Sequence, residues 1–214
     1  DSELHLINGC TANAHIASGR HLGVTEYFIK ENATLTSTMI HSWGKEVEVY
    51  PRSAAHVAKN AKFISNYVAM CSVKNLQMNP LAVIEESGLG EFYSVIYAPE
   101  NSRFDIGSTV ILNGDGASSE IISRVVSNGG EVTTRGKIIG KHPNGRGAMA
   151  CNGLLLNKKG YIHAIPELLG QDPRLELSHE ASVGMISKDE LAYLMASVIE
   201  EDKAKSVIIE GFLD

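Results

Sequence analysis

The chain has 214 residues, of which 43% are hydrophobic and 21% charged, a composition typical of a globular protein with a buried core. Its 25 Asp and Glu residues outnumber its 19 Lys and Arg residues, giving a formal net charge of −6. The lack of a basic cluster argues against nucleic-acid binding, and no hydrophobic run is long enough to span a bilayer.

The three cysteines, Cys10, Cys71 and Cys151, stand too far apart for the disulfide framework of a small secreted domain. No CxxC pair is present, which disfavours a zinc ribbon or a thioredoxin-type redox site. Free thiols persist in a reducing compartment, so the sequence predicts a cytoplasmic protein.

Residues 1 to about 184 are predicted to form short β-strands separated by turns. The strand segments are rich in β-branched and aromatic residues, and several alternate between apolar and polar positions. They are EVEVYP (46–51), AKFISNYVAM (61–70), FYSVIYA (92–98), STVILN (108–113), EIISRVVSN (120–128) and GYIHAIPEL (160–168).

The turns between these strands combine Asn and Gly, residues that tolerate a positive φ. They are NGDG (113–116), NGG (128–130), NGRG (144–147) and NKKG (157–160), and their first residues lie 15, 16 and 13 residues apart. Such regular spacing indicates an antiparallel sandwich or a solenoid. The solenoid is favoured because no long helical crossover is present and STVILN is apolar at successive positions.

The last thirty residues change to a helical pattern. SKDELAYLMASVIEE begins with Ser187 and Glu190 in the register of a capping box. The apolar positions that follow with helical spacing are Leu191, Leu194, Met195, Val198 and Ile199. In the second segment they are Ala204, Val207, Ile208, Gly211 and Phe212. We expect a β-helix core over residues 1–186 and a helical segment over 187–214, which either caps the core or docks a partner.

The stretch LELSHEASVG (175–184) places His179 beside Glu180, but it does not form a known hydrolase motif. A zincin requires HExxH, and the second histidine is replaced by Val183. The serine-hydrolase motif GxSxG and the phosphate-binding loop GxxxxGK[ST] are also absent.

Cys151, His179 and Glu180 offer a thiolate, an imidazole and a carboxylate, a set that suits iron or zinc. Cys151 and His179 are 28 residues apart, close to two turn intervals. If two intervals make one rung, these residues stack on neighbouring rungs about 4.8 Å apart. In a regular strand, however, His179 and Glu180 point to opposite faces. A buried cysteine and a solvated His–Glu pair therefore remain the alternative.

Four segments, in order, resemble the SufB/SufD scaffold proteins of iron–sulfur cluster assembly. INGCTAN (7–13) is similar to the segment around the sulfur-accepting cysteine of SufB, and residues 90–130, which begin GEFYS, are similar to the β-core. CNGLLL (151–156) is similar to a later SufB cysteine segment, and SHEASVGMISKDELAYL (178–194) to the closing signature.

The resemblance implies a right-handed parallel β-helix followed by two short C-terminal α-helices. It implies that two such chains pair through their β-helices and that each docks a SufC-type ATPase through its helical segment. A sulfur donor protein supplies persulfide, and the iron–sulfur cluster is built transiently on the pair. The chain itself is then a scaffold rather than an enzyme, with ATPase activity in the partner.

The resemblance also assigns residues. Cys10 matches the persulfide-accepting cysteine, and Cys151 matches a cysteine proposed as a cluster ligand at the pair interface. His179 matches the interface histidine of SufD, and Glu180 matches a SufB glutamate.

Three positions depart from the SufB pattern. HSW (41–43) stands where SufB has Gln-Asn-Trp, so that Trp43 alone of the tunnel-lining pair is kept. Pro51 stands where SufB has a lysine, and Ser178 replaces a SufB glutamate.

Because SufB-like and SufD-like features are mixed, we expect a homodimer, with a heterodimer containing a second SufB/SufD-like chain as the alternative. Two-fold pairing would bring two copies of Cys151, His179 and Glu180 together, supplying up to six ligands.

Thiolates accept sulfur only when deprotonated, so Cys10 is expected to have a polar or cationic neighbour. Proximity in sequence suggests His15, Arg20 or His21. Cys71 matches no functional position and is expected to be a small buried residue.

Two other functions remain open. One is a β-solenoid interaction subunit of an ABC-ATPase-associated complex that builds no cluster. The other is a β-helix polysaccharide lyase or hydrolase, which is least favoured because no cluster of carboxylates or basic residues is evident.

Overall fold

The computed structural model describes residues 1–11, 18–197 and 200–213, without the side chain of Lys188. The proposed Cys10 neighbour His15 and the predicted helix positions Val198 and Ile199 lie outside these ranges.

The described chain forms fourteen strands that belong to two parallel sheets. The strands are β1 (Glu3–Thr11), β2 (Gly19–Ile29), β3 (Thr34–Ser42), β4 (Val47–Val57), β5 (Lys62–Ala69), β6 (Asn75–Met78), β7 (Leu81–Ile84), β8 (Leu89–Pro99), β9 (Arg103–Leu112), β10 (Ser118–Asn128), β11 (Glu131–Gly140), β12 (Arg146–Leu155), β13 (Tyr161–Gly170) and β14 (Glu176–Met185).

Successive strands alternate between the two sheets, so the chain coils as a solenoid. Sheet 1 has the order β1-β3-β5-β8-β10-β12-β14, and sheet 2 has the order β13-β11-β9-β6-β4-β2, with β7 beside β4 and β9. Every strand pairing is parallel, as in a β-helix and unlike an antiparallel sandwich. The parallel β-helix prediction is confirmed, with about six turns.

Asparagines at the corners link each turn of the solenoid to the one before it. Asn144 adopts a φ of 58° and donates a hydrogen bond from Nδ2 to Asp115 Oδ1 at 2.9 Å. Asn157 donates in the same way to Asn128 Oδ1 at 2.8 Å. The regular Asn spacing in the sequence therefore marks half a turn of the β-helix.

Inward-facing side chains fill the space between the sheets with two apolar clusters. One contains Phe63, Phe92 and Ile121, and the other contains Ile96 and Phe104. Each fully buried aliphatic or aromatic side chain contributes roughly 1.5–3 kcal/mol, so this interior is the main source of stability.

Two helices follow the solenoid, as predicted: α1 (Lys188–Ala196) and α2 (Glu201–Leu213). Ser187 caps α1, because its hydroxyl accepts a hydrogen bond from the Glu190 backbone N–H at 3.3 Å. Helix α2 contacts β10, and its Ala204 is buried. Neither helix has the length and apolar character needed to cross a membrane, a finding that covers the described residues.

Candidate functional site

An internal cavity of about 270 Å³ lies between the two sheets in the first turns of the solenoid. Cys10, on the terminal strand β1, is half-buried and contributes to its lining. The wall continues through side chains of the following turns as far as Ser94 and Ile121. Cys10 therefore stands at one end of an internal space rather than in the packed core.

His41 is the residue that the β1–β3 register places beside Cys10. It lines the same cavity and is only 3% exposed. Its Nδ1 atom lies 2.9 Å from the hydroxyl of Tyr67 on β5. The His21 ring from β2 lies 6.5 Å from the His41 ring and 4.7 Å from that of Trp43, measured between centroids.

Burial decides the protonation of this cluster at neutral pH. It lowers the pKa of His41 to about 4, with a further contribution from His21. Burial also raises the pKa of Tyr67, and the nearby Cys71 and Cys10 add to this effect. His41 is therefore a neutral imidazole, and Tyr67 is a neutral phenol.

The expected neighbours of Cys10 are only partly found in the described structure. His21 lines the cavity that Cys10 lines. Arg20 is instead paired with Glu48, with its Nη2 atom 2.8 Å from Glu48 Oε2. His41, which the sequence analysis noted only as a departure from SufB, is the closest cavity residue by strand register.

Cys71 is not the buried small side chain that was expected. It is half-buried and accepts a hydrogen bond from the Trp43 backbone N–H at 3.2 Å. Its own thiol lies 3.3 Å from the carbonyl oxygen of His41, to which it donates. Burial raises the pKa of this thiol. Cys71 thus ties the end of β3 to the chain that leaves β5.

A column of polar inward-facing side chains leads from the cavity to Cys151. Tyr67, Ser94, Ser123 and Cys151 are register partners on β5, β8, β10 and β12. Ser94 donates a hydrogen bond to the Ser123 hydroxyl at 2.9 Å. Five strand-to-strand steps separate β1 from β12, so Cys10 and Cys151 lie about 24 Å apart at about 4.8 Å per step.

Cys151 itself is sealed inside the chain, with an exposure of 4%. Burial raises the pKa of its thiol, and the hydroxyl of Thr134 partly offsets this rise. A neutral thiol must lose its proton before it can bind iron, so Cys151 needs a change of environment to act as a ligand.

The direct stacking of Cys151 on His179 is not found. Ser123 pairs with Cys151, 28 residues later, but Cys151 pairs with Ala181, 30 residues later. His179 instead pairs with Met149, and Glu180 pairs with Ala150.

His179 and Glu180 are both exposed, because β14 is the terminal strand of sheet 1. They point to opposite faces, as strand geometry requires, and only His179 shares the face of Cys151. No group of three His, Cys, Asp or Glu side chains within the described ranges is close enough to hold a metal ion. One chain therefore does not bring the three predicted ligands together.

Pro51 lines the cavity on β4, where the register pairs it with Gly23. This part of the wall therefore carries a ring without charge. Tyr67, Ser94 and Ser123 were not singled out from the sequence, although each is a polar residue at an inward position of an otherwise apolar strand. That pattern, repeated at one-turn intervals, is the signal that could have found them.

A family model described as "SUF system FeS cluster assembly, SufBD core domain" matches residues 1–212. An "Iron-sulfur cluster assembly SufBD family protein" from Archaeoglobus fulgidus is 45% identical over 213 residues, covering 100% of this chain and 58% of the relative. Similarly named proteins from Methanothermobacter thermautotrophicus (strain Winter) and Pyrococcus horikoshii are 41% and 35% identical over 215 residues, covering 100% of this chain and 52% and 48% of the relatives. The chain thus spans about half the length of these curated relatives. By fold and by sequence, the chain belongs to the SufBD family of iron–sulfur cluster assembly proteins.

Proposed function

We propose that this chain is the β-helix part of a scaffold on which iron–sulfur clusters are assembled, with the cluster as cargo. The observation that carries this proposal is the internal cavity and polar column between Cys10 and Cys151 in a SufBD fold. All three cysteines are free, which agrees with a reducing compartment, and we place the protein in the cytoplasm.

Sulfur enters at Cys10. Its thiolate attacks the outer sulfur of a persulfide on the donor protein, a new S–S bond forms at Cys10, and the donor cysteine leaves as a thiolate. The half-buried position of Cys10 at the terminal strand β1 supports access from outside.

Cys151, His179 and Glu180 serve as cluster ligands only when two chains pair. Strands β13 and β14 end the two sheets, so both leave an unpaired edge within the described structure. Val183 and Met185 on β14 are exposed apolar side chains beside that edge. A second copy, or a second SufB/SufD-like chain, would cover these residues by strand addition and supply a second ligand set.

The helical segment docks a SufC-type ATPase, which supplies the ATPase activity that this chain's sequence does not encode in a phosphate-binding loop. Tyr193 and Met195 on α1 and Val207 on α2 are exposed apolar side chains. Ile208 and Phe212, also considered for docking, are half-buried. Grouped apolar side chains on a surface are typical of a protein interface.

A second function is favoured by the burial of Cys151. If this thiol never reaches an interface, the chain is a β-solenoid interaction subunit of an ABC-ATPase-associated complex without a role in building clusters. Metal content separates the two functions, since such a subunit would bind its ATPase but no iron.

Anaerobic reconstitution with Fe²⁺ and sulfide tests the scaffold proposal. The wild-type protein should acquire cluster absorbance and iron, whereas Cys151→Ala and Glu180→Ala should each retain less than about a tenth of it, because a cluster cannot be held with its ligands incomplete. Cys71→Ala is the matched control and should reconstitute like the wild type. Equal cluster content in all four proteins would contradict the ligand assignment.

A further inference from the structure

We propose that His41 donates a hydrogen bond from its Nε2–H group to the sulfur carried by Cys10, and that Tyr67 is the positioning residue that holds His41 in the required tautomer. The inference rests on the proposed sulfur entry at Cys10. It assigns a role to a histidine that stands where SufB has glutamine.

The strand register places the two residues side by side. Cys10 and His41 are partners across β1 and β3, and both line the internal cavity. Neighbouring strands lie about 4.8 Å apart, so an imidazole on one reaches a sulfur on the next. His41 is also held in place, since its ring makes edge contacts with those of Trp43 and Tyr67, at 5.5 and 5.2 Å between centroids.

The Tyr67 hydroxyl determines which ring nitrogen of His41 carries the proton. This buried hydroxyl lies 2.9 Å from His41 Nδ1, the one side-chain hydrogen bond that it makes within the described residues. A buried O–H group requires an acceptor, so Tyr67 donates to Nδ1. A neutral imidazole that accepts at Nδ1 carries its proton on Nε2. Burial keeps the imidazole neutral by lowering its pKa to about 4.

A negative sulfur in this cavity needs such a donor. The groups that face His41 are Cys10 from β1, His21 from β2, Tyr67 from β5, and the Cys71 thiol at the His41 carbonyl. No carboxylate is among the described residues that line the cavity, so nothing there competes for the N–H group. Hydrogen bonds to an ionised group are roughly twice as strong as those between neutral groups.

The sulfur step can be followed with inorganic polysulfide as the probe. The Cys10 thiolate attacks the terminal sulfur, an S–S bond forms at Cys10, and a shortened polysulfide anion leaves. The product is a persulfide whose negative terminal sulfur lies in the cavity, where His41 stabilises it. The step requires neither an oxidant nor a reductant.

The experiment measures two reactions at Cys10 in the full protein under anaerobic conditions. One is the rate of alkylation by iodoacetamide, and the other is persulfide formation with polysulfide, each located by peptide mass spectrometry. His41→Leu should slow both reactions about tenfold, the effect of losing one charge-assisted hydrogen bond. His41→Gln, which retains an N–H donor, should recover to within about threefold of the wild type.

Met39→Leu is the matched control, since Met39 lines the same cavity on the same strand. It should react like the wild type. Tyr67→Phe should slow both reactions while His41 remains in place, and this variant decides the matter if His41→Leu does not fold. A constant ratio of wild-type to His41→Leu rates from about pH 6 to pH 9 is expected, because His41 stays neutral throughout.

Wild-type rates in both His41→Leu and Tyr67→Phe would overturn the inference. A ratio that changes across this pH range would also overturn it, because His41 would then act as a titrating base. If the wild-type Cys10 is alkylated in a His41-dependent way but takes no sulfur from polysulfide, the proposed sulfur entry fails and the role of His41 stands.

Discussion

Cys10 and Cys151 show how two identical side chains acquire different chemistry from their surroundings. Cys10 lies on a terminal strand beside His41 and an internal cavity. Cys151 lies in the packed interior, where burial raises the pKa of its thiol. The first position suits a sulfur acceptor that meets a donor protein, and the second suits a ligand that becomes reactive only after the scaffold changes or pairs.

The same scale shows what the sequence could predict of the site. Cys10 and Cys151 were identified because their flanking segments resemble SufB. Tyr67 and Ser123 were not, since nothing in their own segments distinguishes a polar residue that faces inward from one that faces solvent. Their role depends on register partners one turn away, which only the folded chain reveals.

The buried His41 makes stability depend on pH. Its folded-state pKa of about 4 lies below the ordinary value of 6.5, so the unfolded chain takes up a proton at a higher pH. The free energy of unfolding should therefore fall as pH decreases from about 6.5 to about 4, by about 3 kcal/mol from this group.

Urea unfolding at pH 7 and pH 4.5 measures this contribution, with His41→Gln as the comparison. The wild type should lose about 2 to 3 kcal/mol more than the variant between these two values, because carboxylates affect both proteins equally. The same loss in both proteins would show that His41 is not buried as a neutral imidazole.

At the scale of strands and turns, the sequence predicted the architecture well. Each of the six predicted strand segments overlaps a strand, and the Asn-rich turns fall at corners of the solenoid. The β12–β14 register was not predictable from the spacing. The turn after β12 has five residues (156–160), whereas the turn after β10 has two (129–130), and this difference moves His179 away from Cys151.

Close stacking of the corners predicts a strong effect at Gly114, between β9 and β10. A Cβ atom at this position would overlap the backbone nitrogen of Glu86, in the preceding turn. Gly114→Ala should lower the free energy of unfolding by about 2 to 3 kcal/mol, because a backbone group cannot move aside cheaply.

Gly184→Ala on β14 is the control, since a Cβ there meets no atom within 4 Å. It should change stability by no more than about 0.5 kcal/mol in the same urea titration. Equal effects at the two glycines would mean that the corners are not in contact.

At the scale of the whole molecule, the candidate ligands lie at one end of the solenoid and the cavity lies at the other. The last strands of both sheets are unpaired in the described structure, and Met185 on β14 is 52% exposed. A partner at this end would complete both sheets and double the number of ligands. The sequence could indicate this only through its mixture of SufB-like and SufD-like residues, because an interface between chains leaves no periodic signal.

The most direct test is size-exclusion chromatography of the reconstituted protein, with light scattering and iron measured in each fraction. Wild-type iron should elute only at the mass of a chain pair. Met185→Lys should elute as a monomer without iron, because it places a charge at the shared edge. Tyr193→Lys, at a side chain 76% exposed on α1, should still pair and retain iron but lose ATPase binding. Iron bound at full stoichiometry in a monomer would contradict the claim that two chains complete the cluster site.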